Sequence, residues 1–112
     1  MIYLKADTAV EVPIGPIVAV SDGFTPVTTM SIASADEAEL LKYNGNTAIT
    51  TTAIAGTVAA IANADGYYTL DLSATDTEDE GFLVVCINDD SLMLPYRQEF
   101  MVVSANVYDS LF

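Results

Sequence analysis

The sequence predicts an all-β fold, a two-sheet sandwich of seven to nine strands with little helix. Three observations within Gly66 to Asn88 carry the prediction. In GYYTLDLS, Tyr68, Leu70 and Leu72 alternate with Tyr67, Thr69, Asp71 and Ser73, the period of two of a strand with one buried face. In GFLVVCIN, Phe82 to Ile87 is apolar at almost every position, as expected of a central strand covered on both sides. Between them Asp76 to Glu80 is nearly all charge, which predicts a solvated corner. A half-buried strand, a charged corner and a central strand fit a sandwich of the immunoglobulin-like type. Tyr68, Leu70, Leu72, Phe82, Val84, Cys86 and Ile87 are the expected core, with Ile87 facing the far sheet.

The remaining elements follow in order. Met1 to Pro16 starts extended, with Val10 and Val12 alternating with Glu11. Pro13 and Pro16 place this segment at a sheet edge, where a missing N–H does no harm. The strand is expected to change sheets at Pro13-Ile14-Gly15-Pro16 and to continue through Ile17 to Val20. Ser21 to Pro26 is a turn: Asp22-Gly23 supplies a positive φ and Pro26 stops a helix. Val27 to Ile32 is expected as a strand with Val27 and Ile32 in the core. Ser34 to Asn46 supports two readings. Ser34-Ala35-Asp36-Glu37 fits a helix capping box that Asn44-Gly45 could close, whereas Asn44-Gly45 between extended runs is a hairpin signal. The β-branched run Thr47 to Thr52 favours the hairpin, with Glu37 to Tyr43 as its first strand. Ala55-Gly56 breaks the run, Thr57 to Ala62 forms a short strand, and Asn63 to Gly66 turns. Asn88-Asp89-Asp90-Ser91 is a tight turn into a last strand, Leu92 to Val103, whose Pro95 suits an edge or a bulge. Residues 1–104 thus form one domain, and 105–112 a short amphipathic tail.

Composition narrows the function. A chain of 112 residues makes one core, and a hydrophobic content of 52% opposes disorder. No apolar run approaches the roughly 18 residues of a membrane span, and MIYLKADTAVEV lacks the pattern of a signal peptide. Cys86 is the only cysteine, so an intramolecular disulfide is excluded and a small core residue is expected. Sixteen acidic residues face only Lys5, Lys42 and Arg97, a net charge of −13. Phosphate backbones and anionic membranes both require basic partners, so neither nucleic acid nor membrane is an expected ligand. The acidity reads as solubility and protection of strand edges, with an acidic binding surface as the alternative.

Catalysis finds little support. The chain has no histidine, which removes the commonest general base and metal ligand. No serine or threonine has an identifiable activator, and carboxylate pairs are too numerous to single one out. Asp76-Thr77-Glu78-Asp79-Glu80-Gly81 starts like a calcium loop, but the twelfth position is Ile87 where a bidentate Glu is required. A looser site using Asp76, Asp79 or Asp89 and Asp90 is the alternative to a solvated corner. No cofactor or metal is expected. Exposed tyrosines could stack on sugars, with Tyr67 and Tyr96 the candidate glycan-binding residues. The uncharged apolar groups outside the expected core lie at the two ends: Ile2, Tyr3 and Leu4, then Val107, Tyr108, Leu111 and Phe112. They are the expected contact residues, and the charged corners Asp76 to Glu80 and Asp89-Asp90 are expected to stay in solvent.

Five stretches, YLKADTAVEVPIGPIV, SDGFTP, ELLKYNG, DGYYTLDLSATDTEDEGFLVV and LPYRQEFMVVSANVYDSLF, give the chain a resemblance to a group of tailed-bacteriophage virion proteins. Their β-sandwich module shares the order Gly-Tyr-Tyr, alternating strand, Thr-Asp-Thr, Gly, apolar strand, and ends in Phe-Met-Val and Tyr-Asp-Ser-Leu. Members often continue beyond that last element, so this chain is expected to be a minimal form or to lack a downstream segment. The resemblance implies a structural role in the virion, decorating the capsid or anchoring a head or tail fibre, with capsid, neck or tail subunits as partners and an oligomer in the particle. It supplies no catalytic residues. A carbohydrate-binding adhesion module displayed on the particle is the alternative.

Overall fold

A computed structural model describes residues 2–44 and 48–112. The chain runs β1 (Ile2–Lys5), β2 (Val10–Ile14), β3 (Glu37–Asn44), β4 (Ala48–Ala53), β5 (Val58–Ala60), β6 (Tyr68–Leu72), β7 (Gly81–Asn88), β8 (Tyr96–Val103) and α1 (Ala105–Leu111). One sheet has the order β1-β8-β7-β3-β4 and the other β2-β6-β5. Every pairing is antiparallel except β1 with β8, which is parallel. This is an all-β sandwich.

The core lies between the sheets. The smaller sheet contributes Val12, Ile14, Tyr68, Leu70 and Leu72; the larger contributes Leu4, Leu40, Leu83, Val85, Ile87, Phe100 and Val102. Period-two alternation accounts for each set, because successive side chains on a strand leave on opposite faces. The expected core is corrected at two places. Phe82 and Cys86 are only half-buried, because they share the parity of Val84 and point away from the second sheet. Val84 is buried, yet on that same outer face, between Leu41 of β3 and Glu99 of β8. β7 is therefore central within its sheet but covered by another layer on one side only.

The hairpin reading of Glu37 to Tyr43 holds, as β3 and β4 pair from Glu39↔Ala53 to Asn44↔Ala48; the expected Asn44-Gly45 turn lies outside the described residues. The change of sheet comes earlier than expected, at residues 6–9. There Asp7 N–H donates to the Thr77 carbonyl at 3.1 Å, Thr8 N–H donates to the Thr77 hydroxyl at 3.1 Å, and that hydroxyl donates to the Thr8 carbonyl at 3.0 Å. Neither Ile17 to Val20 nor Val27 to Ile32 is a strand. Ile17 to Val20 makes only the single bridges Val18↔Pro26 and Ala19↔Met93, and Val27 to Ile32 takes part in neither; a proline opposite Val18 offers no N–H to extend a ladder. Pro13 does sit on an edge strand, and Pro95 falls just before β8.

The charged corner also differs from expectation. Asp76 and Thr77 are buried, while Glu78 and Glu80 are exposed. The Asp76 carboxylate accepts from Ser73 N–H at 2.8 Å and the Ser73 hydroxyl accepts from Asp76 N–H at 3.1 Å, so the two short side chains close the turn on each other's backbone. Asp89 is likewise buried and accepts from the Ser91 hydroxyl at 2.8 Å. Among the described residues, no helix is long and apolar enough to cross a membrane.

Candidate interaction surface

The two ends meet. Tyr3 on β1 and Phe112 after α1 have ring centroids 6.0 Å apart, and Tyr108 lies 4.9 Å from Phe112. Ser104 caps α1 by accepting from Val107 N–H, and Lys5 pairs with Asp109 at 3.0 Å. None of the residues of α1 is buried. Val107, Leu111 and Phe112 are exposed, as are Ile2 and Tyr3, while Tyr108 is half-buried. Leu4 is a correction: it is 4% exposed and belongs to the core, since parallel pairing sets it beside Val102 on the inner face. The tail touches the sandwich at its rim and adds nothing to the interior.

The outer face of the larger sheet carries a feature that the end residues alone do not reveal. Tyr3 stands opposite Met101, Met101 opposite Phe82, and Tyr43 opposite Ile49. The rings of Phe82 and Tyr43 complete the line at 4.9 Å. Tyr3, Met101, Phe82, Tyr43 and Ile49 thus form an uncharged row across all five strands, ending at Phe112 on one side. Gly81 permits it, because a side chain there would come within 2.9 Å of the Tyr43 ring. Tyr3 and Ile49 are exposed and the three between them half-buried. Arg97 and Glu99, which pair with each other, flank the row beside Phe82, Val84 and Met101 in a shallow hollow. Each member of the row comes from a different strand, so no local pattern shows it.

Tyr67 and Tyr96 both reach Gly15. The Tyr96 hydroxyl accepts from Gly15 N–H at 2.8 Å and lies 3.1 Å from Gln98 Oε1. Burial, the largest influence, raises the pKa of that hydroxyl; the Gly15 bond opposes it and neighbouring Tyr67 adds to it. Tyr67 is exposed, with its ring against Gly15, where a Cβ would fall 2.7 Å from Tyr67 Cδ1. Tyr96 is engaged in holding the 13–16 segment.

The carboxylates regroup across the chain. Asp89 and Asp90 join Asp36, with one oxygen of each within 4.8 Å of the others, and Asp76 and Asp79 are not part of the group. Asp36 accepts from Asp90 N–H at 2.9 Å. That bond, followed by a side-chain bond with Asp90, lowers the pKa of Asp36, whereas the side-chain bond with Asp36 and then the Asp36 charge raise that of Asp90. Asp89 accepts from both the N–H and the hydroxyl of Ser91 within its own turn.

Compared with known proteins, the chain matches no family model. No curated protein matches it either.

Proposed function

We propose that this protein is a non-catalytic structural subunit of a tailed-bacteriophage virion, a capsid-decorating or fibre-anchoring module that acts through protein–protein contacts. The observation that carries the contact role is the uncharged row from Phe112 and Tyr3 to Ile49, on a chain whose net charge is −13. A surface this acidic repels most acidic neighbours, and an apolar stripe across it is where a neighbour can dock without stripping water from carboxylates. Each Leu or Phe side chain buried there would stabilise a contact by roughly 1.5–3 kcal/mol. A few such anchors per copy, repeated around a symmetric shell, hold a small domain in place. The placement in a virion rests on the sequence resemblance.

Deleting residues 105–112 tests the reading. The tail buries no residue of its own, so the shortened domain should keep its melting temperature while failing to join particles that lack the full-length subunit. A collapse in melting temperature, or normal assembly, would sink the proposal. Specific binding on a glycan array that Tyr67→Ala abolishes would favour the adhesion alternative instead.

A further inference from the structure

The sandwich exposes four strand edges, and three are guarded. β1 is four residues long with α1 beside it and Lys5 tied to Asp109. β2 carries Glu11 and Pro13. β5 is three residues long. The fourth edge, β4, reads AITTTA, and all six residues are exposed. It holds no charge, no proline and no glycine, the features by which edges usually avoid pairing. Among the described residues nothing lies against its free side.

We infer that β4 pairs antiparallel with β4 of a second copy across a two-fold axis at Thr51. The hydrogen-bond parity fixes the register. Ile54 N–H donates to the Ala38 carbonyl at 2.9 Å, so bonded pairs with β3 fall on the even residues of β4, and Ile49, Thr51 and Ala53 direct their N–H and C=O outward. Only odd residues can therefore bond across the new seam. Centring the axis on Thr51 pairs Thr51 with Thr51 and Ile49 with Ala53, and uses all three outward-facing residues. The strand is close to palindromic about that point, with small or β-branched residues on both sides.

Self-complementarity selects the second copy as the occupant, since about Thr51 the strand presents small and β-branched residues alike on both sides of the axis, and charge permits it there. Two chains of −13 can approach only where neither presents carboxylates, and β4 has none. The outward acids of β3, Glu37 and Glu39, sit one strand back. Across the seam β3 and its counterpart are three strand spacings apart, about 14 Å, beyond the screening length of roughly 8 Å at physiological salt. The seam would join two five-stranded sheets into one of ten, with the uncharged row of each copy reaching the seam at Ile49. A six-residue ladder buries less than a standard interface of about 1,200 Å² or more, so the dimer is weak and strengthens with concentration.

Sedimentation velocity over a wide range of protein concentration tests this. The wild type should shift toward dimer as concentration rises, and more so at high salt, because screening weakens the repulsion. Thr51→Pro removes an N–H that β3 does not use, and Thr51→Lys places charge at the axis; each should weaken the dimer at least tenfold with the circular dichroism spectrum kept. In the paired state Thr51 Cα atoms lie about 5.5 Å apart, within disulfide reach, whereas Thr50 Cα atoms lie about 8 Å apart, outside it. Oxidised Thr51→Cys should thus form covalent dimers, and Thr50→Cys and the wild type, which keeps Cys86, should not. A chain monomeric at every concentration overturns the inference and leaves the edge to a strand of a different protein. A dimer indifferent to all Thr51 variants, or equal cross-linking from Thr50→Cys, overturns it too.

Discussion

The Tyr68 hydroxyl donates to the Val27 carbonyl at 2.6 Å and accepts from Met30 N–H at 3.1 Å, inside a core where its ring is 2% exposed. One side chain thereby holds a loop some forty positions earlier that has no ladder of its own. Tyr68→Phe should cost about 1–3 kcal/mol, because a buried carbonyl and a buried N–H both lose their partner; urea unfolding checks it, and a loss under about 0.5 kcal/mol would show that water replaces the hydroxyl. Tyr96 makes a pH prediction. Its folded-state pKa is raised, chiefly by burial, so above its ordinary value near 10 the unfolded chain gives up the proton first. Stability is then full below about pH 10 and falls as pH rises through the folded pKa. Thermal melts across that range should show a shallower alkaline loss for Tyr96→Phe than for the wild type, after allowing for the Gly15 N–H that the variant leaves unpaired.

Between elements, Lys42 matters most. It points inward from β3, is 5% exposed, and donates to the Thr75 carbonyl at 2.9 Å, with Glu78 at 3.7 Å. It therefore pins the corner between β6 and β7 onto the larger sheet. Lys42→Met keeps the packing of the stem but removes the charged donor, and should cost about 1.5–3 kcal/mol; amide exchange should quicken through residues 73–80. Glu78→Gln should cost under about 1 kcal/mol, since that carboxylate is half exposed and screened by water. Equal costs would mean that the ion pair, not the carbonyl, holds the corner. At this scale the sequence was legible where a pattern is local. The alternation in Tyr68 to Leu72 sets its own buried face, and the Asn44-Gly45 signal with its β-branched sequel outweighed the capping box at Ser34. Val27 to Ile32 was not legible, because its conformation depends on the distant Tyr68 hydroxyl. The burial of Asp76 could have been found: Ser73 stands three residues before it, a spacing at which the two side chains exchange backbone bonds.

At the scale of the molecule, charge and layering decide. Each of the three cations already faces an acid, Lys5 with Asp109, Lys42 with Glu78 and Arg97 with Glu99, and the surplus of −13 repels itself in the compact state. Raising sodium chloride from about 20 mM to about 500 mM shortens the screening length several-fold, so the melting temperature should rise; a flat or falling curve would mean that those three pairs outweigh the surplus. The two-sheet architecture and most of its core were legible from alternation. The inward or outward facing of Phe82 and Cys86 was not, because apolar residues at both parities of β7 do not say whether one layer or two cover it. The outer row was hidden for a related reason: Tyr3, Met101 and Phe82 line up only through registers between strands far apart in sequence.

The parallel ladder from Ile2↔Phe100 to Lys5↔Val103 has a mechanical consequence. Tension applied at Ile2 and at Phe112 would first peel α1, which buries none of its residues. It would then drag β1 and β8 in opposite directions along their common axis. The bonds between parallel strands so loaded are sheared together and not opened one after another, so the sandwich would yield its terminal helix cheaply and then resist as a unit.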